Sequence, residues 1–279
     1  MNRLLASLAI TLVVAVSATT VQAASRQAPV QTALELDRVA TFAKMLEREL
    51  AARGARIAIV SRVGRPQGEL PPGFRYTHTG FAVYSEITTS DGRTVPGYAM
   101  YNLYQDAERL DASNLVTDYP VDFFGGVFEL RSGVIIPTPQ LQQRLLRVLG
   151  SHTYRDLHVA DYSSVANPFD ARFQNCTEFI LDVLNAAVYE TDDMALLKSN
   201  ARAYFDAQPV KVGRLKARIA SWRNDDITLK DQKGGKIETA TFTTIAQYMD
   251  KYGLSQAQFE VAEGGDGDLA SVSFSRASG

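Results

Sequence analysis

Two long runs rich in aromatic and β-branched residues, FRYTHTGFAVYSEI (74–87) and TVPGYAMYNLYQ (94–105), flank the turn residues SDGR (90–93). Side chains of this kind fit the pleated, half-buried surface of a strand, and Asp91-Gly92 suits a tight reversal. The pattern predicts a β-hairpin, with Pro96 near the start of its second strand. An antiparallel pair of this length needs more strands and a covering layer to be stable, so the rest of the chain must supply both.

Helices come from four segments. Leu36, Val39, Phe42, Met45, Leu46 and Leu50 recur at helical spacing, and Gly54 supplies a stop. PTPQLQQRLLRVLGS (137–151), residues 193–207 and TTIAQYMDKYG (243–253) read the same way. ARIAIVSRVG (55–64) suits a buried strand, and FFGGVFELRSGVIIP (123–137) reads as further extended structure. DYSSVANPFDARFQ (161–174) reads as a loop, and DDITLKDQKGGKIETATF (225–242) as a hairpin around Gly234-Gly235. Strands and helices mix without βαβ alternation, which indicates an α+β fold.

A fifth helix opens at RFQNCTEFILDVLNAA (172–187) and holds Cys176, the one cysteine of the chain. Asn175 is a preferred N-cap residue, and Glu178 three positions on predicts a capping box. Phe179, Ile180, Val183, Leu184, Ala187 and Val188 make a continuous apolar face behind them. Cys176 therefore stands at the first helical position. There the helix dipole and free N–H groups favour a thiolate, and the same groups can receive an oxyanion.

The compartment sharpens the point. Residues 1–24 combine Arg3, an apolar run from Leu4 to about Ala18, and small residues Val21 and Ala23. This is the pattern of a secretory signal peptide, and the run is short for a membrane span. A signal anchor is the alternative reading of the same run. No cysteine follows the run, which argues against a lipoprotein anchor. The expectation is an exported, periplasmic protein with no membrane span after cleavage. One cysteine makes no internal disulfide, so a reactive thiol is favoured over a buried one acting as a small hydrophobe. Removing the segment takes Arg3 from 29 basic residues and leaves all 31 acidic ones. That balance gives no reason to expect nucleic acid or an anionic membrane as partner.

A cysteine nucleophile needs a base. His152 and His158, six apart in SHTYRDLHVADY, suit a solvated loop and make a poor zinc pair. His78 lies within the strand YTHTGFAVY, two residues before Gly80, which leaves room for close approach of another chain segment. Taken alone, His78 reads equally well as a half-buried strand histidine bonded to a neighbour. If the hairpin turns between Ser90 and Arg93, residue 78 falls opposite about residue 103. Asn102 then lies within one register step, placed to orient the imidazole as a third group does. Glu86 is a rival farther along the same strand, and an Asn102 facing solvent is the alternative.

HTGFAVY followed much later by NCTEF resembles the circularly permuted branch of the NlpC-type papain-like cysteine hydrolases, which includes lecithin retinol acyltransferase-like proteins. The order of the motifs carries the resemblance, because His78 precedes Cys176. The segment from the first helix to FQNCTEFILDVLNAA is also similar to an exported bacterial family of unknown function. The resemblance implies a papain-like fold in which an antiparallel sheet packs against the nucleophile helix and additional helices. Residues 25–262 would form that single domain, with an N-terminal helix and a C-terminal hairpin–helix extension. Residues 263–279, rich in Gly and Ser, are expected to be a disordered tail. By the same resemblance Cys176 takes the nucleophile position and His78 the base position. Asn102 falls at a third position that varies in the branch. No metal and no cofactor are implied. The substrate expected is a peptide or acyl-containing envelope compound, cleaved at an amide or ester bond. A module that binds without catalysis on the same scaffold is the competing expectation, and no Gly-x-Ser-x-Gly elbow supports a serine hydrolase.

Overall fold

The computed structural model describes residues 34–211, 226–264 and 269–273. The segment read as a signal peptide lies outside them. The fold is α+β. Seven strands form one sheet in the order β4-β3-β2-β1-β5-β8-β9, each paired antiparallel with its neighbours. They are β1 (Ile57–Arg62), β2 (His78–Thr88), β3 (Thr94–Gln105), β4 (Ser113–Asp118), β5 (Arg131–Pro137), β8 (Ser255–Glu263) and β9 (Leu269–Ser273). Short strands β6 (Gln208–Pro209) and β7 (Glu238–Thr239) pair with each other separately.

Helices cover both faces, which is why β1 at the sheet centre is buried along its whole length. Ala58 and Val60 point to one side, into a core shared with α1 (Leu36–Ala52) and with Phe123 and Phe124 of α2 (Pro120–Gly125). Ile57 and Ile59 point to the other side. They meet α3 (Pro139–Leu149), α4 (Thr153–Asp156), α5 (Cys176–Tyr189), α6 (Met194–Tyr204) and α7 (Phe242–Lys251). Alternation along each strand, with a period of two residues, sorts the buried side chains of the sheet into one core or the other.

Local chemistry accounts for the helix ends. Thr138 caps α3 by accepting from the Leu141 N–H, with Pro139 at the first helical position. Asp193 caps α6 through the Ala195 and Leu196 N–H groups. The predicted helices and the hairpin at 90–93 correspond to these elements, but three readings need correction. In 123–137 only Arg131–Pro137 is a strand. The segment before it is α2, started by Pro120 and by Asp122 accepting from the Tyr119 N–H. The hairpin expected over 225–242 is not formed. Gly234 and Gly235 adopt φ of 62° and 72°, but Glu238–Thr239 pairs with Gln208–Pro209 instead. The side chains of Asp231 and Gln232 are already tied to Asn167 and to the Val165 carbonyl, so that arm does not extend as a strand. In the tail, Leu269–Ser273 adds to the exposed edge of β8, where an open row of backbone groups pairs readily with alternating residues such as LASVS.

Candidate active site

Helix α5 begins where the sequence places it. Asn175 Oδ1 accepts from the Thr177 and Glu178 N–H groups at 3.1 and 2.9 Å. Its Nδ2 donates to Thr239 Oγ1 at 3.2 Å, so the cap is held from both sides. Glu178 does not close the expected capping box. Its carboxylate turns inward instead to Lys198 Nζ of α6, at 2.6 Å. The same Nζ reaches both oxygens of Asp182 at 2.8 Å, and Gln174 donates to Asp182 as well. A buried cation beside two buried carboxyls satisfies more polar groups than a capping box, which explains the choice.

The Cys176 thiol is buried, at 5% exposure, in the α5-side core. Its sulfur lies 3.7 Å from Thr177 Oγ1 and accepts from the Thr79 backbone N–H. That N–H is available because β2 and β3 part company there, their pairing ending at Phe81 opposite Tyr101. Burial pushes the thiol upward, opposed by the Thr177 and Thr79 hydrogen bonds and by the charge of Arg62. Cys176 therefore rests as a thiol.

The imidazole of His78, one residue from Thr79, alternates onto the α2 side with Ala82. It is stacked on Tyr104, with ring centroids 4.7 Å apart at 15°, and tilts against Phe123 at 5.5 Å. Its Nε2 lies 3.3 Å from Asn102 Oδ1. Asn102 Nδ2 donates to Asp118 Oδ1 at 2.8 Å, and Tyr104 donates to Asp118 Oδ2 at 3.0 Å. Arg62, directly across from His78 in β1, donates to the Phe123 carbonyl and lies 5.4 Å over the Tyr104 ring. Burial, then the Arg62 charge, holds the His78 imidazolium well below the usual range, so the ring is neutral at pH 7. Burial raises Asp118 to about 7 against the pull of Tyr104, Arg62 and Asn102.

The structure thus brings His78 and Asn102 together and sets Cys176 against the residue next to His78. It draws no hydrogen bond between thiol and imidazole. His78 Nδ1 is buried without a hydrogen-bond partner among the described residues. Cys176, His78 and Asn102 are each covered, the last at 0% exposure. A surface cleft of about 400 Å³ lies elsewhere, beside Arg144, Arg147 and Glu190. His158 bonds Ser113 Oγ at 3.0 Å, and His152 sits on the surface near Asp156. Among the described residues no group of three His, Cys, Asp or Glu side chains is placed to hold a metal ion. No described helix is long and apolar enough to cross a membrane.

Arg62, Tyr104, Asp118 and Phe123 escape sequence reasoning because each joins the site from a different element. Only Tyr104 carries a local signal, sharing a strand face with Asn102 two residues away. Gly80 is legible, though its role differs in detail. A Cβ there would collide with Asn102 Oδ1 and stand 3.2 Å from the Tyr101 carbonyl oxygen, so the glycine admits a side chain as well as the neighbouring backbone. Gly80→Ala is expected to expel the Asn102 amide and free the imidazole. The check is the His78 ring signal by NMR, which should change although the substitution adds only one methyl group.

A family model described as an uncharacterized protein conserved in bacteria (DUF2145) matches residues 49–249, spanning both His78 and Cys176. No curated protein and no solved structure matches the chain.

Proposed function

We propose that this chain, which belongs to the bacterial DUF2145 family, is an exported thiol hydrolase of circularly permuted papain-like type, acting on amide or ester bonds of envelope peptides. One observation carries the reading. His78 commits Nε2 to Asn102 and keeps Nδ1 buried without a hydrogen-bond partner among the described residues, one strand position from Thr79, while Cys176 stands at a helix start. Leaving a buried acceptor unmade costs about 1–3 kcal/mol, a penalty that proteins retain mainly where the atom has work to do.

The chemistry follows from those positions. The reading requires a rearrangement that brings the α2-side imidazole and the α5-side thiol together; His78 Nδ1 then takes the Cys176 proton and the thiolate attacks the substrate carbonyl. The Cys176 N–H, at the start of α5, helps hold the oxyanion. The imidazolium returns its proton to the leaving group, and water then releases the acyl group from sulfur. Asn102 keeps the ring oriented through both steps.

The deep burial of sulfur and imidazole favours a second reading, a non-catalytic envelope module in which the same residues are a polar core. Iodoacetamide distinguishes the two. In the first reading Cys176 of the folded protein alkylates at neutral pH faster than a free thiol, and His78→Ala removes the advantage. Cys176→Ala then abolishes both labelling and hydrolysis of peptide amides. A folded-state thiol no more reactive than a free one, unchanged by His78→Ala, sinks the hydrolase.

A further inference from the structure

We infer that Asp118 is a positioning residue, which fixes the Asn102 amide so that its carbonyl oxygen faces His78 and selects the imidazole tautomer with a free Nδ1. The inference rests on the reading of His78 as the base, but it concerns a different residue and a different observable.

The argument begins with an ambiguity in asparagine itself. Its amide has an acceptor end and a donor end of nearly the same shape, and its neighbours decide which end points where. With the oxygen toward His78, Nε2 must carry the hydrogen and Nδ1 the lone pair. With the NH2 toward His78, Nε2 must accept, the hydrogen moves to Nδ1, and the base is lost. Nothing in His78 makes that choice.

Asp118 makes it. It ends β4, opposite Met100 of β3, and by alternation shares a face with Asn102. In its ionised form, which prevails above about pH 7, the carboxylate only accepts, so its Oδ1 at 2.8 Å then admits the Nδ2 end of Asn102 and no other. Its second oxygen is occupied by the Tyr104 hydroxyl at 3.0 Å, which stops the carboxylate from turning. Tyr104 in turn lies flat against the imidazole, at 4.7 Å between centroids. One carboxylate therefore reaches the ring twice, through Asn102 to its edge and through Tyr104 to its face. Asp118 touches neither thiol nor imidazole, so its part is orientation and not proton transfer.

The tautomer of a neutral histidine is read from the two ring 15N shifts in a long-range 1H–15N spectrum, with no substrate present. Wild-type His78 is expected in the Nε2–H form, and the Nδ1–H form would overturn the inference at once. Asp118→Ala should replace the single form by a mixture and bring the iodoacetamide rate of Cys176 toward that of His78→Ala. Asp118→Asn, whose amide can present either end to Asn102, should hold the tautomer less firmly than the carboxylate and give a smaller change than Asp118→Ala. Because Asp118→Ala risks misfolding, Asp118→Leu fills the same space without an acceptor and should give the same mixture. A folded Asp118→Ala or Asp118→Leu protein that retains a pure Nε2–H ring overturns the inference. An inactive wild type that shows these tautomer changes defeats the hydrolase reading alone. An active wild type whose tautomer ignores Asp118 defeats this one alone.

Discussion

Lys198→Met is expected to destabilise the protein by about 3–5 kcal/mol at neutral pH, the cost of leaving buried carboxyls without their cation. Lys198 donates to Glu178 at 2.6 Å and to both oxygens of Asp182 at 2.8 Å, and both acidic side chains are fully shielded from water. Burial drives both acids upward, Glu178 well above the carboxylate range, and the lysine cation opposes that rise. The lysine itself is raised, because the two carboxyls outweigh its own desolvation. Without the ammonium the acids rise further. A folded-state pKa above the unfolded value adds stability below the unfolded pKa, and that stability is lost as pH rises through the folded pKa. The defect should therefore be largest near neutrality and shrink as the solution is acidified toward the ordinary carboxylate range. Urea denaturation at several pH values measures it. A loss under about 1 kcal/mol at pH 7 would show that the ammonium is dispensable. Adding Glu178→Gln and Asp182→Asn to Lys198→Met should recover much of the loss, because neutral amides can be buried more cheaply than carboxylates. The effect bears on the site, since Glu178 and Asp182 occupy the first two turns of the helix that Cys176 begins.

Phe123→Ala should cost a similar amount, about 3–5 kcal/mol for a large ring removed from a packed core. Phe123 is fully buried, edge-on to Phe124 at 5.0 Å and tilted toward His78 at 5.5 Å. The Arg62 guanidinium lies 5.2 Å over the ring while donating to the Phe123 backbone carbonyl. The variant keeps that carbonyl and loses the ring, so it opens space beside the imidazole without removing a hydrogen bond from it. Water entering there relieves the desolvation that chiefly depresses His78. The His78 pKa should then climb toward its ordinary value near 6.5. Sign and stability are linked. A histidine depressed in the folded state withdraws stability as pH falls below its unfolded value, and the variant should withdraw less. NMR titration of the ring and denaturation between pH 5 and about 8 test both parts. A variant with an unmoved His78 titration would mean that Arg62, and not the aromatic wall, sets the ring's state.

The residues themselves fixed several local facts. Asn175 had to cap a helix, because a short acceptor side chain ahead of a long apolar face leaves little else for the first N–H groups. The hairpin followed from its turn residues, since Gly92 sits at φ 81° where other residues are strained. Gly80 announced a close approach without saying to what. Strand β4 and helix α2 were not legible, because SNLVTD has no firm alternation and FFGG does not look helical until Pro120 and Asp122 start the turn. Glu178 was misread for a related reason. A capping box is decided within four residues, but the buried lysine that outbid it stands twenty residues away on another helix.

Sequence alone singled out the residues on which the proposal rests: one thiol at a helix start, one strand histidine, and one asparagine near its register. These are local properties, set by caps, turns and alternation. Tertiary structure decided what surrounds them. The parting of β2 from β3 delivers the Thr79 N–H to sulfur, while β1, β3, β4 and α2 bring Arg62, Tyr104, Asp118 and Phe123 around the imidazole. Burial, charge and tautomer depend on neighbours that the chain supplies from tens of residues away, so they exist only once the sheet has assembled its strands in order.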